Sequence, residues 1–126
     1  MEKSFEEQVA EAKAHVEAIS PQQASEVKHT NPNSVFIDPR DMADIRATTG
    51  MIPGALNLPL SQLNDAPETE LPSELTDQSR SIITSCQGGP MGALAAYALK
   101  RRGYKNVQFI DGGTQGWLDA GFSTAQ

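Results

Sequence analysis

The sequence contains one cysteine, Cys86, and three of the six residues that follow it are glycines: Gln87-Gly88-Gly89-Pro90-Met91-Gly92. Glycines at this density let the chain turn tightly and direct successive backbone N–H groups at one point. Such a loop, leading into a helix, binds an anion without a charged side chain, and a cysteine thiolate is an anion. The pattern therefore predicts a nucleophilic Cys86 whose thiolate is stabilised by loop amides.

This segment has two other possible interpretations. A lone cysteine is more often a small buried apolar residue, but such a residue needs no glycines beside it, and Gly88, Gly89 and Gly92 are present. A phosphate-binding loop also uses glycines, yet it ends in Gly-Lys-Ser/Thr, and this loop ends in Met91-Gly92. The glycines therefore point to Cys86 itself as the functional group.

Composition limits the classes of protein that could hold this loop. The chain has 126 residues, 38% hydrophobic and 21% charged, which is typical of one globular domain. One cysteine excludes an intramolecular disulfide, a CxxC pair and a cysteine-rich zinc site, and favours the reducing cytoplasm. The sequence has neither an apolar run long enough to span a membrane nor the apolar stretch of a signal peptide.

The charge balance bears on partners. The formal net charge of −6 argues against nucleic acid and anionic membranes as the main partners. Residues 1–80 carry fourteen acidic and six basic side chains, whereas residues 81–126 carry two acidic and four basic ones. The half that contains Cys86 is therefore mildly positive.

The elements that must position Cys86 follow from local patterns. The pairs Ser4–Glu7 and Ser20–Gln23 have the spacing of capping boxes, and they predict helices over residues 5–17 and 21–28. Short apolar stretches bounded by polar residues predict strands. The predicted strands cover residues 35–37, 55–58, 81–85 and 107–110, and further helices cover residues 42–47, 59–63, 93–102 and 114–120.

This alternation of strands and helices indicates a parallel α/β sheet with helices on both faces. Ligands bind beyond the carboxyl ends of the strands in such a sheet, and Cys86 follows the predicted strand over residues 81–85. Residues 64–80 contain two prolines and five acidic side chains, which predicts a solvated connection instead of a core element.

Four segments, in order and in register, resemble the signatures of the single-domain rhodaneses, a sulfurtransferase family. They are VFIDPRD (35–41), GMIPGALNLPL (50–60), IITSCQGGPMG (82–92) and FIDGGTQGWLDAGF (109–122). The resemblance covers roughly residues 19–122 and implies a mostly parallel five-stranded sheet flanked by helices on both faces. It implies one rhodanese-like domain over residues 1–126, with residues 1–18 as an N-terminal accessory helix.

The resemblance also implies a reaction. The Cys86 thiolate attacks the outer sulfur of a donor such as thiosulfate, mercaptopyruvate or a persulfide, and the resulting persulfide passes its sulfur to a thiol or another thiophilic acceptor. The donor is a small molecule or is protein-bound, and no metal or organic cofactor is implied. The residues implied to bind the substrate are Gln87, Gly88, Gly89, Pro90, Met91 and Gly92.

Two loop positions depart from the family pattern. Many members carry an arginine five residues after the cysteine and often a serine next, where this chain has Met91 and Gly92. The loop therefore offers no cation to thiosulfate, which predicts that thiosulfate is a poor sulfur donor for this protein. The same absence leaves open that the chain is a catalytically weak module for protein binding or sulfur sensing. Related phosphatases place an arginine six residues after the cysteine to hold the oxyanion, so Gly92 argues against phosphate-ester chemistry.

Polar and aromatic residues outside the loop have simpler interpretations. Asp38 and Arg40 could position a donor, but we expect Asp38 to bind neighbouring backbone amides and Arg40 to brace its loop. Trp117 could line the mouth of the site, but we expect it to pack the last helix on the sheet. His15 and His29 have no carboxylate or cysteine near them in sequence to form a catalytic pair. They are therefore expected to be solvated and not to act as bases.

Overall fold

The computed structural model describes residues 3–125, so Met1, Glu2 and Gln126 of the predicted 1–126 domain lie outside the described residues. Within that range the strands are β1 (Glu17–Ile19), β2 (Val35–Asp38), β3 (Leu56–Asn57), β4 (Ser81–Thr84) and β5 (Asn106–Ile110). The α-helices are α1 (Phe5–His15), α2 (Pro21–Thr30), α3 (Met42–Ala47), α4 (Leu60–Asp65), α5 (Pro90–Arg101) and α6 (Gly113–Asp119). No helix in the described part of the chain is long and apolar enough to cross a membrane.

The strands form one five-stranded sheet in the order β1-β5-β4-β2-β3, and every neighbouring pair is parallel. The predicted parallel α/β sheet is thus confirmed. Because all strands run the same way, their carboxyl ends meet at one edge, and Cys86 follows β4 at that edge.

Side chains alternate between two apolar layers, as strand geometry requires. Val35 and Ile37 of β2 pack with residues of α1, α4 and α5 on one face, while Phe36 packs with residues of α2 and α6 on the other. In β4, Ile82 belongs to the first layer and Ile83 to the second. The predicted placement of helices on both faces is therefore confirmed.

The N-terminal helix is shorter than predicted, and a strand follows it. The helix over residues 5–17 was expected to be continuous, but α1 ends at His15, and residues 17–19 form β1, which pairs with β5 at the sheet edge. Only Ile19 is buried in this three-residue strand, so β1 has no alternating pattern for sequence analysis to detect. The residues with which β1 pairs are some ninety positions away along the chain, as in the Ala18–Phe109 pair.

The sequence signals for the starts of the helices agree better with the structure than the signal for the end of α1. Both predicted capping boxes are present: the Ser4 and Ser20 hydroxyls each accept an N–H at 3.1 Å, and the Glu7 and Gln23 side chains accept the return bonds. α5 begins at Pro90, three residues before the predicted start, because proline fits the first helical turn.

The connection over residues 64–80 is not wholly solvated. It contains two 3-10 turns, Glu68–Glu70 and Ser73–Leu75, and Leu75 is buried in the core. The Tyr104 hydroxyl donates a hydrogen bond to the Leu75 carbonyl at 2.6 Å. Burial raises the pKa of Tyr104, which keeps this donor protonated.

A buried ion pair locks the end of β2. Asp38 and Arg40 are 2% and 4% exposed. The Arg40 guanidinium donates to both Asp38 carboxylate oxygens, at 3.0 and 2.7 Å, and also donates to the Thr49 hydroxyl at 3.0 Å. The Arg40 backbone N–H donates to Asp38 Oδ1 at 3.1 Å. These contacts agree with the predicted binding of a backbone N–H by Asp38 and with the predicted bracing role of Arg40.

We predict that Arg40→Ala lowers the free energy of unfolding by about 3–5 kcal/mol, because it leaves the buried Asp38 carboxylate without its partner. Urea denaturation measures the change. Arg46→Ala is the control, since Arg46 is exposed on α3, and it should cost no more than about 0.5 kcal/mol. Equal losses in the two variants would contradict the bracing role.

Candidate active site

Cys86 lies between the end of β4 and the start of α5, and only 3% of its surface is exposed to solvent. We call residues 86–92 the Cys86 loop. The backbone N–H of Gly89 donates a hydrogen bond to Cys86 Sγ at 3.1 Å. Gly89 has φ +119, a conformation that favours glycine and turns the chain back toward the sulfur. The loop thus brings a backbone donor to the sulfur without a charged side chain.

The far end of the loop is fixed against β4. The Thr84 hydroxyl donates to the Gly92 carbonyl at 2.6 Å. A Cβ on Gly92 would lie 3.4 Å from the Cys86 nitrogen and 3.5 Å from the Ser85 Cα. The first turn of α5 therefore packs directly against the backbone at the end of the strand.

The near end of the loop is held by α6. The Thr114 N–H donates to the Cys86 carbonyl at 2.7 Å, and the Gln115 N–H donates to the Gln87 carbonyl at 3.0 Å. A Cβ on Gly113 would lie 2.6 Å from the Cys86 oxygen and 2.7 Å from the Gln87 oxygen. Only glycine allows so close an approach of the two backbones.

Several loop N–H groups have no protein partner. Within residues 3–125, no protein group accepts a hydrogen bond from the N–H groups of Gln87, Gly88, Met91 and Gly92. Buried N–H groups are nearly always paired, and Gly92 is buried. Free donors in the same loop as a sulfur that already accepts from Gly89 are the kind of group that stabilises a bound anion.

The six predicted binding residues differ in their positions. Gly89 contacts the sulfur, Gln87 and Gly88 are exposed, Met91 is half-buried, and Pro90 begins α5. Met91 occupies the first turn of α5, the place where a loop cation would stand. Across residues 3–125, no group of three or more His, Cys, Asp or Glu side chains is arranged to hold a metal ion.

The contacts from α6 were missed by sequence reasoning. The signal available was the Gly112-Gly113 pair in the last family-like segment, but nothing local shows that it faces a loop more than twenty residues earlier. The packing role expected for Trp117 is confirmed, since it is buried against the sheet and its indole N–H donates to the Ser123 carbonyl at 2.9 Å. His15 and His29 are exposed, as expected.

Comparison with known proteins begins with sequence. The family model for the rhodanese-like domain matches residues 20–120. Thiosulfate sulfurtransferase 18 of Arabidopsis thaliana is 32% identical over 71 residues, which cover 56% of this chain and 52% of that protein. The chain therefore matches about half the length of this relative.

Solved structures match over nearly the whole chain. A polysulfide-sulfur transferase homodimer from Wolinella succinogenes has a TM-score of 0.76 at 26% identity, covering 96% of this chain and 86% of its own. A protein of unknown function from Rhodopseudomonas palustris, described as a possible tyrosine phosphatase, has a TM-score of 0.86 at 25% identity, covering 99% and 96%.

We predict that Gly113→Ala lowers the free energy of unfolding by at least about 3 kcal/mol, because the added methyl group would overlap two loop carbonyls. Gly121→Ala is the matched control: Gly121 also has positive φ, +98, but a Cβ there meets nothing within 4 Å. It should cost about 1 kcal/mol from backbone strain alone. Urea denaturation distinguishes the two, and similar losses would count against the close approach of α6.

Proposed function

The chain belongs to the rhodanese-like domain family, and we propose that it is a sulfurtransferase that carries a sulfane sulfur on Cys86. Sulfurtransferases among the similar proteins support sulfur transfer at the level of the family. The observation that carries the proposal is the Cys86 loop itself, where Gly89 donates to the sulfur and the N–H groups of Cys86, Gln87, Gly88, Met91 and Gly92 have no acceptor within residues 3–125.

The reaction has two displacements. The Cys86 thiolate attacks the outer sulfur of the donor, an S–S bond forms, and the bond from that sulfur to the rest of the donor breaks. The leaving group departs with the electron pair, as sulfite from thiosulfate or as a thiolate from a thiol persulfide. An acceptor thiolate then attacks the outer sulfur of the Cys86 persulfide and releases the Cys86 thiolate.

The loop amides can stabilise each anionic sulfur in this sequence. Negative charge begins on Cys86 Sγ and moves to the outer sulfur of the persulfide. Fixed N–H donors stabilise such a charge without reorganising. In the proposed mechanism, Gly89 holds Sγ, and the N–H groups of Gln87 and Gly88 face the outer sulfur.

The loop favours a particular class of donor. No residue from Cys86 to Gly92 is charged, so thiosulfate, with two negative charges, has no side-chain cation to bind. A thiol persulfide carries less charge and can be bound by amides alone. We therefore propose a thiol persulfide, small or protein-bound, as the preferred donor.

The number of cysteines determines where the sulfur goes. The chain has no second cysteine to attack a Cys86 persulfide, so the acceptor must be another molecule. A free thiol also stays reduced best in the cytoplasm, which is where we propose that the protein works.

Phosphatase chemistry has weaker support. The structural neighbour from Rhodopseudomonas palustris is described as a possible tyrosine phosphatase. Phosphate-ester hydrolysis by a cysteine enzyme needs an arginine that binds the oxyanion through two N–H donors. Gly92 stands at that position here, and its backbone carbonyl is engaged by Thr84.

The second candidate function is a catalytically weak module for protein binding or sulfur sensing. Two observations favour it: the loop has no cation, and Cys86 is 3% exposed. Within the Cys86 loop, Gln87 and Gly88 are the exposed residues. Sulfur capture from donors of different size and charge separates the two candidates.

We predict that incubation with a thiol persulfide adds the mass of one sulfur atom to the intact protein, because Cys86 forms a persulfide. Intact-protein mass spectrometry measures the gain, and a reducing thiol should remove it. Cys86→Ser, which keeps the loop but removes the nucleophile, should gain nothing. If thiosulfate, mercaptopyruvate and persulfides all leave the mass unchanged, the enzyme proposal fails and the binding module remains.

We predict that Met91→Arg raises kcat/KM for thiosulfate by about tenfold or more, because it supplies a charge-assisted hydrogen bond at the loop worth ~1.5–3 kcal/mol. Sulfite release in a steady-state assay measures the change. Met91→Leu keeps a neutral side chain of similar volume and serves as the matched control. An equal change in both variants would show that charge at this position does not select the donor.

A further inference from the structure

We propose that the backbone N–H groups of Thr114 and Gln115 orient the Cys86 loop for sulfur transfer, which makes these two residues positioning residues. The inference rests on the proposed function and adds to it a part of the molecule outside the loop. Its starting point is that both N–H groups donate to loop carbonyls, Thr114 to Cys86 at 2.7 Å and Gln115 to Gln87 at 3.0 Å.

These hydrogen bonds fix the direction of two peptide groups. In a planar trans peptide, the C=O of one residue and the N–H of the next point in opposite directions. The Cys86 carbonyl points toward α6, so the Gln87 N–H points away from it. The Gln87 carbonyl also points toward α6, so the Gly88 N–H points away as well.

The two N–H groups that are turned away from α6 are unpaired. No group in residues 3–125 accepts a hydrogen bond from the N–H of Gln87 or Gly88, and the next N–H in the chain, that of Gly89, donates to Cys86 Sγ. Three consecutive N–H groups are therefore left free of α6, and the third of them already donates to the sulfur. α6 holds the first two in that orientation by engaging their carbonyls.

α6 loses no hydrogen bond of its own in doing this. The N–H groups of the first helical residues have no acceptor inside a helix. The Gly116 N–H donates to the Gly112 carbonyl, so the bonds internal to this helix begin after Gln115. The Thr114 and Gln115 donors are thus free to hold the loop.

Two further contacts keep α6 at this distance. The Ser85 and Thr114 hydroxyls are hydrogen-bonded with 2.7 Å between their oxygens, and both residues are buried. Gly113 has φ +64 and no side chain to separate the helix from the Cys86 and Gln87 oxygens. The residue before the nucleophile and the start of α6 are therefore joined through side chains as well as backbone.

The test breaks one of the two contacts between α6 and the loop. Gln115→Pro replaces the N–H that binds the Gln87 carbonyl with a ring carbon, and because that carbonyl oxygen lies 3.0 Å from the Gln115 nitrogen, the loop can no longer rest on α6 at this point. The Gln115 side chain is exposed and donates to Asp119 Oδ1 at 3.0 Å. Asp119→Ala breaks that side-chain bond alone and is the matched control, while Gln115→Ala keeps the N–H and should recover the loop geometry.

We expect Gln115→Pro to lower the rate of sulfur uptake from a thiol persulfide by at least about tenfold, with Asp119→Ala within about twofold of the parent. The spectroscopic readout is the amide ¹H–¹⁵N resonance of Gly88. It should move downfield when Cys86 takes up sulfur in the parent, Asp119→Ala and Gln115→Ala proteins, and should not move in Gln115→Pro. Far-ultraviolet circular dichroism and the urea midpoint check that α6 remains folded.

The proposal is overturned if Gln115→Pro takes up sulfur at the parent rate with the same Gly88 response, or if Gln115→Ala is impaired as much as Gln115→Pro. Alkylation of Cys86 by iodoacetamide at one pH tests the positioning without any sulfur donor. A several-fold slower alkylation in Gln115→Pro alone supports it even where no donor loads the parent protein, whereas equal alkylation rates overturn it. Failure of the proposed function and failure of the positioning role therefore give different results.

Discussion

The hydrogen bonds from Thr114 and Gln115 to the carbonyls of Cys86 and Gln87 are the contacts on which the rest of the site depends. A loop that offers its N–H groups to a ligand must satisfy its carbonyl groups elsewhere, because a buried unpaired carbonyl costs free energy. α6 meets that need with donors that its own helix cannot use. The opposite face of the same peptide groups is then left available for sulfur.

The parallel sheet makes this contact possible. β4 and β5 are neighbours that run in the same direction, so the segments that follow them, the Cys86 loop and the start of α6, emerge side by side. Because Gly113 has no side chain, the backbone of α6 can approach the Cys86 and Gln87 carbonyls closely. On the other side of β4, the buried Asp38–Arg40 pair fixes the chain after β2 at the same edge. Hydrogen bonds therefore hold the carboxyl edge of the sheet on both sides of β4, from α6 on one side and from the Asp38–Arg40 pair on the other.

Because the loop has no charged side chain, the donors that it offers to an anion are neutral and are mostly backbone N–H dipoles. Such dipoles stabilise charge at short range and in a fixed direction, so they favour a single anionic sulfur over a donor with a charged head group. The proposed preference for a persulfide donor therefore depends on the side chain at position 91, whereas the proposed stabilisation of the sulfur depends on the backbone.

The sequence alone determined what depends on neighbouring residues: the two capping boxes, the short strands β2 to β5, the cysteine before a glycine-rich turn, and the four family-like segments that predicted the parallel α/β fold. It did not determine β1, the burial of Leu75 in contact with Tyr104, or the contact of α6 with the Cys86 loop. Each of these joins residues more than twenty positions apart, and the pairing of β1 and the contact of α6 do so through backbone groups, which every residue type carries. Side-chain pattern records which elements form, whereas the pairing of distant carbonyl and N–H groups is decided only when the tertiary structure brings them together.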